Sequence, residues 1–242
     1  MKTKTVAKGG VKMESRFKLL LLEASLETVP VAIAHHPSVV KTAARRGKKP
    51  LEILLDKSLH YHAMKKLPNA EKRGRPDIVH IALLEALESP LNKKGELLVC
   101  MYTIEKHAVY IDPSTRIPRS YNRFVGLMEQ LFKEGRIPPG SDKPLIYLKT
   151  IKLGELIKEI GARGLILLSE KCDYKPVSFI AEKAIREELA VGVGAFPHGD
   201  FDEETTRYAD YCYSIYPEPL ATHIVVSRVL VAAEKLLGVF EL

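Results

Sequence analysis

Three arginines, Arg116, Arg119 and Arg123, fall within eight residues in the stretch Arg116-Ile-Pro-Arg-Ser-Tyr-Asn-Arg-Phe-Val-Gly-Leu-Met-Glu-Gln-Leu-Phe132. Guanidiniums this close repel one another, so folding alone does not ask for them. An anion among them relieves the repulsion, and a phosphate backbone suits arginine's planar fork of donors. A solvated basic face is the plainer alternative. Upstream, Arg73-Gly-Arg-Pro-Asp-Ile-Val-His80 holds another arginine, Arg75, two residues before Asp77. Gly74 breaks the chain, Pro76 suits a first helical turn, and Asp77 meets the positive end of the helix dipole.

These groups need scaffolding. Read as a helix from Pro118, the arginine stretch puts Arg119, Arg123, Gly126 and Gln130 on one stripe and Phe124, Leu127, Met128 and Leu131 on another. The apolar stripe packs on a body and the arginines face outward. A second helix runs from Pro76 through Leu87 and stops at Ser89-Pro90.

The charge balance points the same way. The chain of 242 residues carries a net +7, yet Lys41 to Arg75 alone holds eleven Lys and Arg against Glu52, Asp56 and Glu71. The remainder is nearly neutral, so the block is the footprint expected of a nucleic-acid binder. No apolar run approaches the ~20 residues of a membrane span, and no membrane partner is expected. Cys100, Cys172 and Cys212 are far apart and odd in number, which points to free buried thiols and a reducing cytoplasm. Residues 1–16 read as a disordered basic tail ahead of a single domain over 17–242.

Along that domain, Phe17 to Leu26 has the length of a buried strand. A basic loop covers His35 to Lys49, Pro50 to Asp56 suits a strand, and a helix continues to Leu67. Glu96 to Thr103 and His107 to Asp112 form a strand pair. From Pro144 onward strands alternate with helices: strands at 144–150, 164–169, 190–195 and 211–215, helices at 153–160, 176–189, 202–208 and 220–237. Such alternation gives a parallel sheet with helices on both faces, an α/β class. The segments at about 35–75 and 95–113 stand as a basic insertion and a strand-pair insertion.

Ligands of open parallel sheets bind at the carboxyl ends of strands. Three ends qualify: Leu167-Leu-Ser-Glu-Lys171, Val193-Gly-Ala-Phe-Pro-His-Gly-Asp200 and Ser214-Ile-Tyr-Pro-Glu-Pro-Leu220. Gly194 and Gly199 let the backbone approach a ligand or take positive φ. Neither a dinucleotide nor a P-loop glycine spacing is present, so the motifs describe a small ligand held mostly by backbone, or ordinary tight turns. The histidines form no metal constellation, and no metal is expected.

The GRPDIVH block, the strand pair ahead of RIPR-x-x-x-RF-x-GLM-x-QL, and the closing GAFPHGDF and SIYP together resemble one family. It is the small-subunit ribosome-biogenesis family of pseudouridine N1-specific methyltransferases, in the SPOUT superfamily of knotted α/β enzymes. The likeness runs from Phe17 to the C-terminus. It implies a SPOUT-type sheet with a C-terminal trefoil knot, a homodimer, and S-adenosyl-L-methionine held by Leu167, Gly194, Gly199 and the loop Ser214, Ile215, Tyr216, Pro217, Glu218, Pro219, with Leu220. Many members have Tyr-Pro-Leu where this chain has Tyr-Pro-Glu-Pro-Leu. The RNA-contacting arginines fall on Arg75, Arg116, Arg119 and Arg123, and the acid beside the target base on Asp77.

The partner so implied is a pseudouridine-containing loop of small-subunit rRNA, with room for ribosomal proteins or assembly factors. Pseudouridine is joined to its sugar through carbon, so its N1 carries a proton that must leave during methylation. An ordinary Asp, with pKa ~3.9, is a weak base for so feeble an acid, which favours Asp77 orienting the ring over full proton abstraction. A rival class is an assembly factor that holds rRNA, with methyl transfer secondary or absent.

Overall fold

The computed structural model describes residues 15–239. The expected tail at 1–16 therefore lies almost wholly outside the described residues. One eight-stranded sheet organises the chain, in the order β4-β5-β3-β2-β1-β7-β6-β8. Its strands are β1 (Phe17–Ala24), β2 (Leu97–Thr103), β3 (His107–Ile111), β4 (Arg136–Ile137), β5 (Ile146–Thr150), β6 (Leu165–Tyr174), β7 (Ala190–Gly194) and β8 (Tyr211–Ser214). The run β2-β1-β7-β6-β8 is parallel, while β3, β5 and β4 extend it antiparallel. The strand pair at 95–113 is thus built into the sheet, with β2 beside β1 at its centre.

Both faces are covered, and the sequence shows why. Strand β1 reads FKLLLLEA and is buried along its whole length. Successive side chains point to opposite faces, so Phe17, Leu19 and Leu21 enter one core and Leu20 and Leu22 the other. The first core is closed by α3 (Pro76–Glu88), α5 (Tyr121–Glu134), α7 (Val177–Arg186) and α9 (Thr222–Leu236). The second is closed by α6 (Leu153–Glu159) and the segment around α8 (Glu203–Arg207). A short α4 (Pro90–Lys93) follows α3. Among the described residues no helix is long and apolar enough to cross a membrane.

The basic segment differs from its expected form. Instead of a loop over His35 to Lys49, it contains α1 (Pro37–Arg45), started by Pro37 and capped by the His36 ring, which accepts from the Ser38 amide. Its buried side is only Val39, Thr42 and Ala43, too small a stripe to announce a helix. Pro50 to Asp56 is not a strand: a 3₁₀ turn at Pro50–Glu52 leads to a single bridge between Leu54 and Thr28. Helix α2 (Lys57–Met64) follows, and a small core of its own, including Ile33, Val39, Ile53, Leu55 and Met64, holds the segment together.

Two further expectations are corrected. Helix α5 begins at Tyr121, not at Pro118, and its first backbone bond runs from the Phe124 amide to the Ser120 carbonyl. The Pro118 carbonyl instead accepts from His80 Nε2 at 2.7 Å, which leaves Arg119 in the approach loop. Cys172 and Cys212 are not free thiols but a disulfide, with Cα atoms 5.6 Å apart; only Cys100 is free and buried. The 40-residue separation hid the pair. Strands β6 and β8 are sheet neighbours, and a register slip between Leu168 and Asp173 brings Cys172 beside Cys212.

Candidate functional site

The middle of β6 at Leu168, Ser169 and Glu170, the carboxyl ends of β7 and β8, and the start of α9 enclose a cleft. Gly194, Gly199, Ser214, Ile215, Tyr216, Glu218, Pro219 and Leu220 all line it; Pro217 does not. Leu167 does not either. It is buried with Leu20 and Leu22 in the core on the α6 side, and its neighbour Leu168, one residue on and so on the opposite face, forms the wall.

Local geometry explains the shape. Gly199 has φ +96, a region that favours glycine. A Cβ on Gly194 would lie 3.0 Å from the Phe196 ring and 3.1 Å from that of Phe201, so the aromatic pair closes down on bare backbone. The Ser214 hydroxyl donates to the Tyr216 carbonyl at 2.6 Å and accepts from its amide, which fixes the turn after β8. The Thr222 hydroxyl donates to the Gly194 carbonyl at 2.8 Å and pins α9 to the β7 loop.

The cleft's walls include the carboxylates of Glu170, Asp200 and Glu218; Asp200 is paired with Lys171 at 2.5 Å, and the Lys72 ammonium lies behind the wall, 4.7 Å from the Phe196 ring centroid. Leu168, Val193, Ile215 and Val225 offer apolar contact to a ring system, and the Glu170 and Glu218 carboxylates suit a cationic group beside it. Glu170, Phe196, His198, Asp200 and Thr222 also line the cleft, and nothing in the linear sequence singles them out. The sheet order, which brings β6, β7 and β8 together, is the signal missing from the linear chain.

From this cleft a hydrogen-bonded path leads to Arg75. The Ser25 amide donates to the carbonyl of Ala195, between wall residues Gly194 and Phe196, at 2.9 Å. The Arg75 amide then donates to Ser25 Oγ at 2.9 Å. One turn along α3 from Asp77, His80 reaches the Pro118 carbonyl and stacks on Phe124 at 4.4 Å between ring centroids. Arg75 and Asp77 thus sit at the start of α3 beside the cleft, whereas the Arg116–Arg119 loop meets α3 at His80 and, through Arg119 and Glu88, at its other end.

Arg75 grips Asp77 with two parallel bonds, Nε to Oδ1 at 2.8 Å and Nη2 to Oδ2 at 2.7 Å. Partial burial works to raise the Asp77 carboxyl, but the hydrogen bonds and charge of Arg75 outweigh it, and its pKa falls below the ordinary value. Asp77 is an ionised acceptor and a poor base. Next to it the Tyr121 hydroxyl donates to Asp56 Oδ2 at 2.6 Å; burial, then that carboxylate, push the phenol up, so it stays protonated.

Arg119 leans on Glu88 in an exposed pair at 3.0 Å. Arg116 and Arg123 are exposed and, among the described residues, without an ion-pair partner. Arg116 and Arg119 rim a second depression floored by Leu84, Leu87 and Ile117. An apolar floor beneath guanidiniums suits an unstacked base with its phosphate.

Comparison with known proteins identifies relatives along nearly the whole chain. The EMG1/NEP1 methyltransferase family model matches residues 19–234. The ribosomal RNA small subunit methyltransferase Nep1 of Staphylothermus marinus is 52% identical over 227 residues, covering 94% of this chain and 99% of the relative. That of Saccharolobus solfataricus is 45% identical over 220 residues, covering 91% and 97%. The crystal structure of Archaeoglobus fulgidus Nep1 bound to S-adenosylhomocysteine has a TM-score of 0.83 at 43% identity, covering 92% of this chain and 99% of that one.

Proposed function

The chain belongs to the EMG1/NEP1 methyltransferase family, and from that premise we propose that it methylates N1 of a pseudouridine in small-subunit ribosomal RNA, with S-adenosylmethionine as donor. The observation that carries this reading is the pairing of a cleft lined by Glu170, Asp200 and Glu218 with arginines outside it: Arg75, two hydrogen bonds away, and the exposed Arg116, Arg119 and Arg123. A sulfonium donor suits the first and a polyanion the second. Homologous Nep1 crystallised with S-adenosylhomocysteine, the demethylated donor, supports the first half.

The donor supplies an electrophilic methyl group; the chain's own residues arrange the rest. Gly194, Gly199 and the 214–220 loop offer backbone amides and carbonyls, and Leu168, Val193, Ile215 and Val225 offer apolar walls for a purine. Arg116, Arg119 and Arg123 bind phosphates of an unpaired loop, whose target base turns out of its stack to reach the cleft. Asp77, held ionised by Arg75, accepts the hydrogen bond of the pseudouridine N1–H and orients the ring. Nitrogen attacks the methyl carbon as the carbon–sulfur bond breaks, and the N1 proton leaves to solvent. Holding the nitrogen ~3–3.5 Å from the methyl carbon, in line with sulfur, accounts for much of the rate. A trefoil knot around the cleft, a homodimer and action in the cytoplasm belong to the same proposal.

Asp77→Asn tests the role assignment. Methyl transfer to a pseudouridine RNA loop should fall to background while RNA affinity stays within about threefold, since phosphate contacts dominate affinity. Turnover that persists, or binding that collapses in step with it, would remove Asp77 from the reaction.

A further inference from the structure

Lys72 is the most enclosed cation of the basic segment, 3% exposed against 7% for Arg73. Its ammonium lies 2.5 Å from Glu23 Oε2 and 2.8 Å from Asp202 Oδ1. It also sits 4.7 Å above the Phe196 ring, and its Cγ is 3.4 Å from where a Cβ on Gly199 would stand. One side chain thus touches the cleft loop at Phe196, at Gly199 and just beyond it at Asp202. Glu23 completes the joint from below, its Oε1 accepting the Asp202 amide at 2.8 Å. Glu23 itself has φ +48 at a register slip in β1, a left-handed conformation that a non-glycine residue holds only when its surroundings demand it.

On the other side of Lys72 the chain is anchored residue by residue. Arg73 is buried on Glu27 and Glu105, the Gly74 carbonyl accepts from the Lys57 amide at 2.8 Å, and the Arg75 amide is held by Ser25. The turn that presents Arg75 and Asp77 therefore moves with Lys72, and so does the cleft loop. An ion pair this buried is weak evidence for stability, because desolvation consumes much of its attraction and an apolar residue packs as well. What a charge adds here is a directed connection between segments 130 residues apart in sequence.

We infer that Lys72 is a positioning residue that couples the donor cleft to the RNA surface, so that filling either one favours the other. The inference rests on the proposed function, because it presumes that the cleft takes the methyl donor and the arginines take RNA. Coupling of this kind is reciprocal: whatever factor the donor applies to RNA affinity, RNA applies to donor affinity.

The test is a binding cycle. Affinity for a pseudouridine stem–loop is measured with and without saturating S-adenosylhomocysteine, in the wild type and in Lys72→Met combined with Glu23→Gln, which avoids a lone buried carboxylate. In the wild type the nucleoside should tighten RNA binding about tenfold, within the usual range for coupled sites. In the double variant that factor should drop below about twofold, while each ligand alone binds within about threefold of wild type. A merely structural role would weaken the ligands separately and leave the factor intact. If the double variant does not melt cooperatively, Asp202→Asn, whose carboxylate is half exposed, should still cut the factor to about threefold or less. An unchanged factor in either folded variant, or independent binding of both ligands to the wild type, overturns the inference alone. Failure of the wild type to bind S-adenosylhomocysteine overturns the proposed function and the inference with it.

Discussion

The basic segment from Lys41 to Arg75 and the arginine stretch from Arg116 to Arg123 look alike as charge, yet the folded chain uses them in different ways. In the first, Arg46 and Lys48 converge on Glu129, which is buried in α5 and also accepts the Leu54 amide. Lys72 and Arg73 are buried on Glu23 and Glu27, and Arg75 holds Asp77. Four of its eleven cations thus serve as internal pins answered by carboxylates distant in sequence, and a fifth, Arg75, holds its neighbour Asp77. In the second, Arg116 and Arg123 stay exposed and, among the described residues, unpaired, and Arg119 has only a surface partner. A local charge excess therefore marks RNA-binding surface only where the fold leaves it unanswered. The pinned part of the basic segment acts as a clamp that sets Arg75 and Asp77 in place, while Lys41, Arg45, Lys49, Lys65 and Lys66 stay exposed and, among the described residues, without an ion pair.

If that contrast is right, the two regions fail in opposite ways. The largest effect belongs to the clamp. Glu129→Ala should destabilise the fold by about 3 kcal/mol, near the low end for a broken buried pair because Arg46 and Lys48 keep some solvent; a denaturant midpoint measures it. A loss under about 0.5 kcal/mol would erase the distinction. The smaller effect belongs to the open arginines. Arg123→Ala should leave stability within about 0.5 kcal/mol yet weaken RNA binding several-fold and make its salt dependence shallower by ~1 in log–log slope, read from a salt titration. Arg46→Ala should do the reverse, with a lower midpoint and an unaltered slope. Equal salt slopes for both variants would mean that the paired and unpaired cations meet RNA alike.

Much of this arrangement was legible in the chain. From Pro144 to Leu237 the alternation of apolar runs, glycines and prolines shows every strand and helix in order, because most elements there carry an apolar run; α8, which buries only Thr205, is the exception. The Pro76–Glu88 helix was legible from Gly74, Pro76 and Asp77. What escaped was mostly set by tertiary partners. Helix α1 buries too few large residues to show a period. The start of α5 is decided by His80, which takes the Pro118 carbonyl from 38 residues away. The choice between Leu167 and Leu168 is a matter of strand parity, which a motif position does not carry. The disulfide needed the neighbourhood of β6 and β8 and a slip in their register. Lys72 read as one more positive charge, since the acids that claim it lie 49 and 130 residues away.

Two RNA stem–loops, alike but for one nucleotide, go furthest in deciding what the molecule does. Offered S-adenosylmethionine, the protein should methylate the loop that carries pseudouridine, with the methyl group at N1, and leave the uridine loop unmodified. Methylation of both loops alike, or of neither while both bind, would contradict the account.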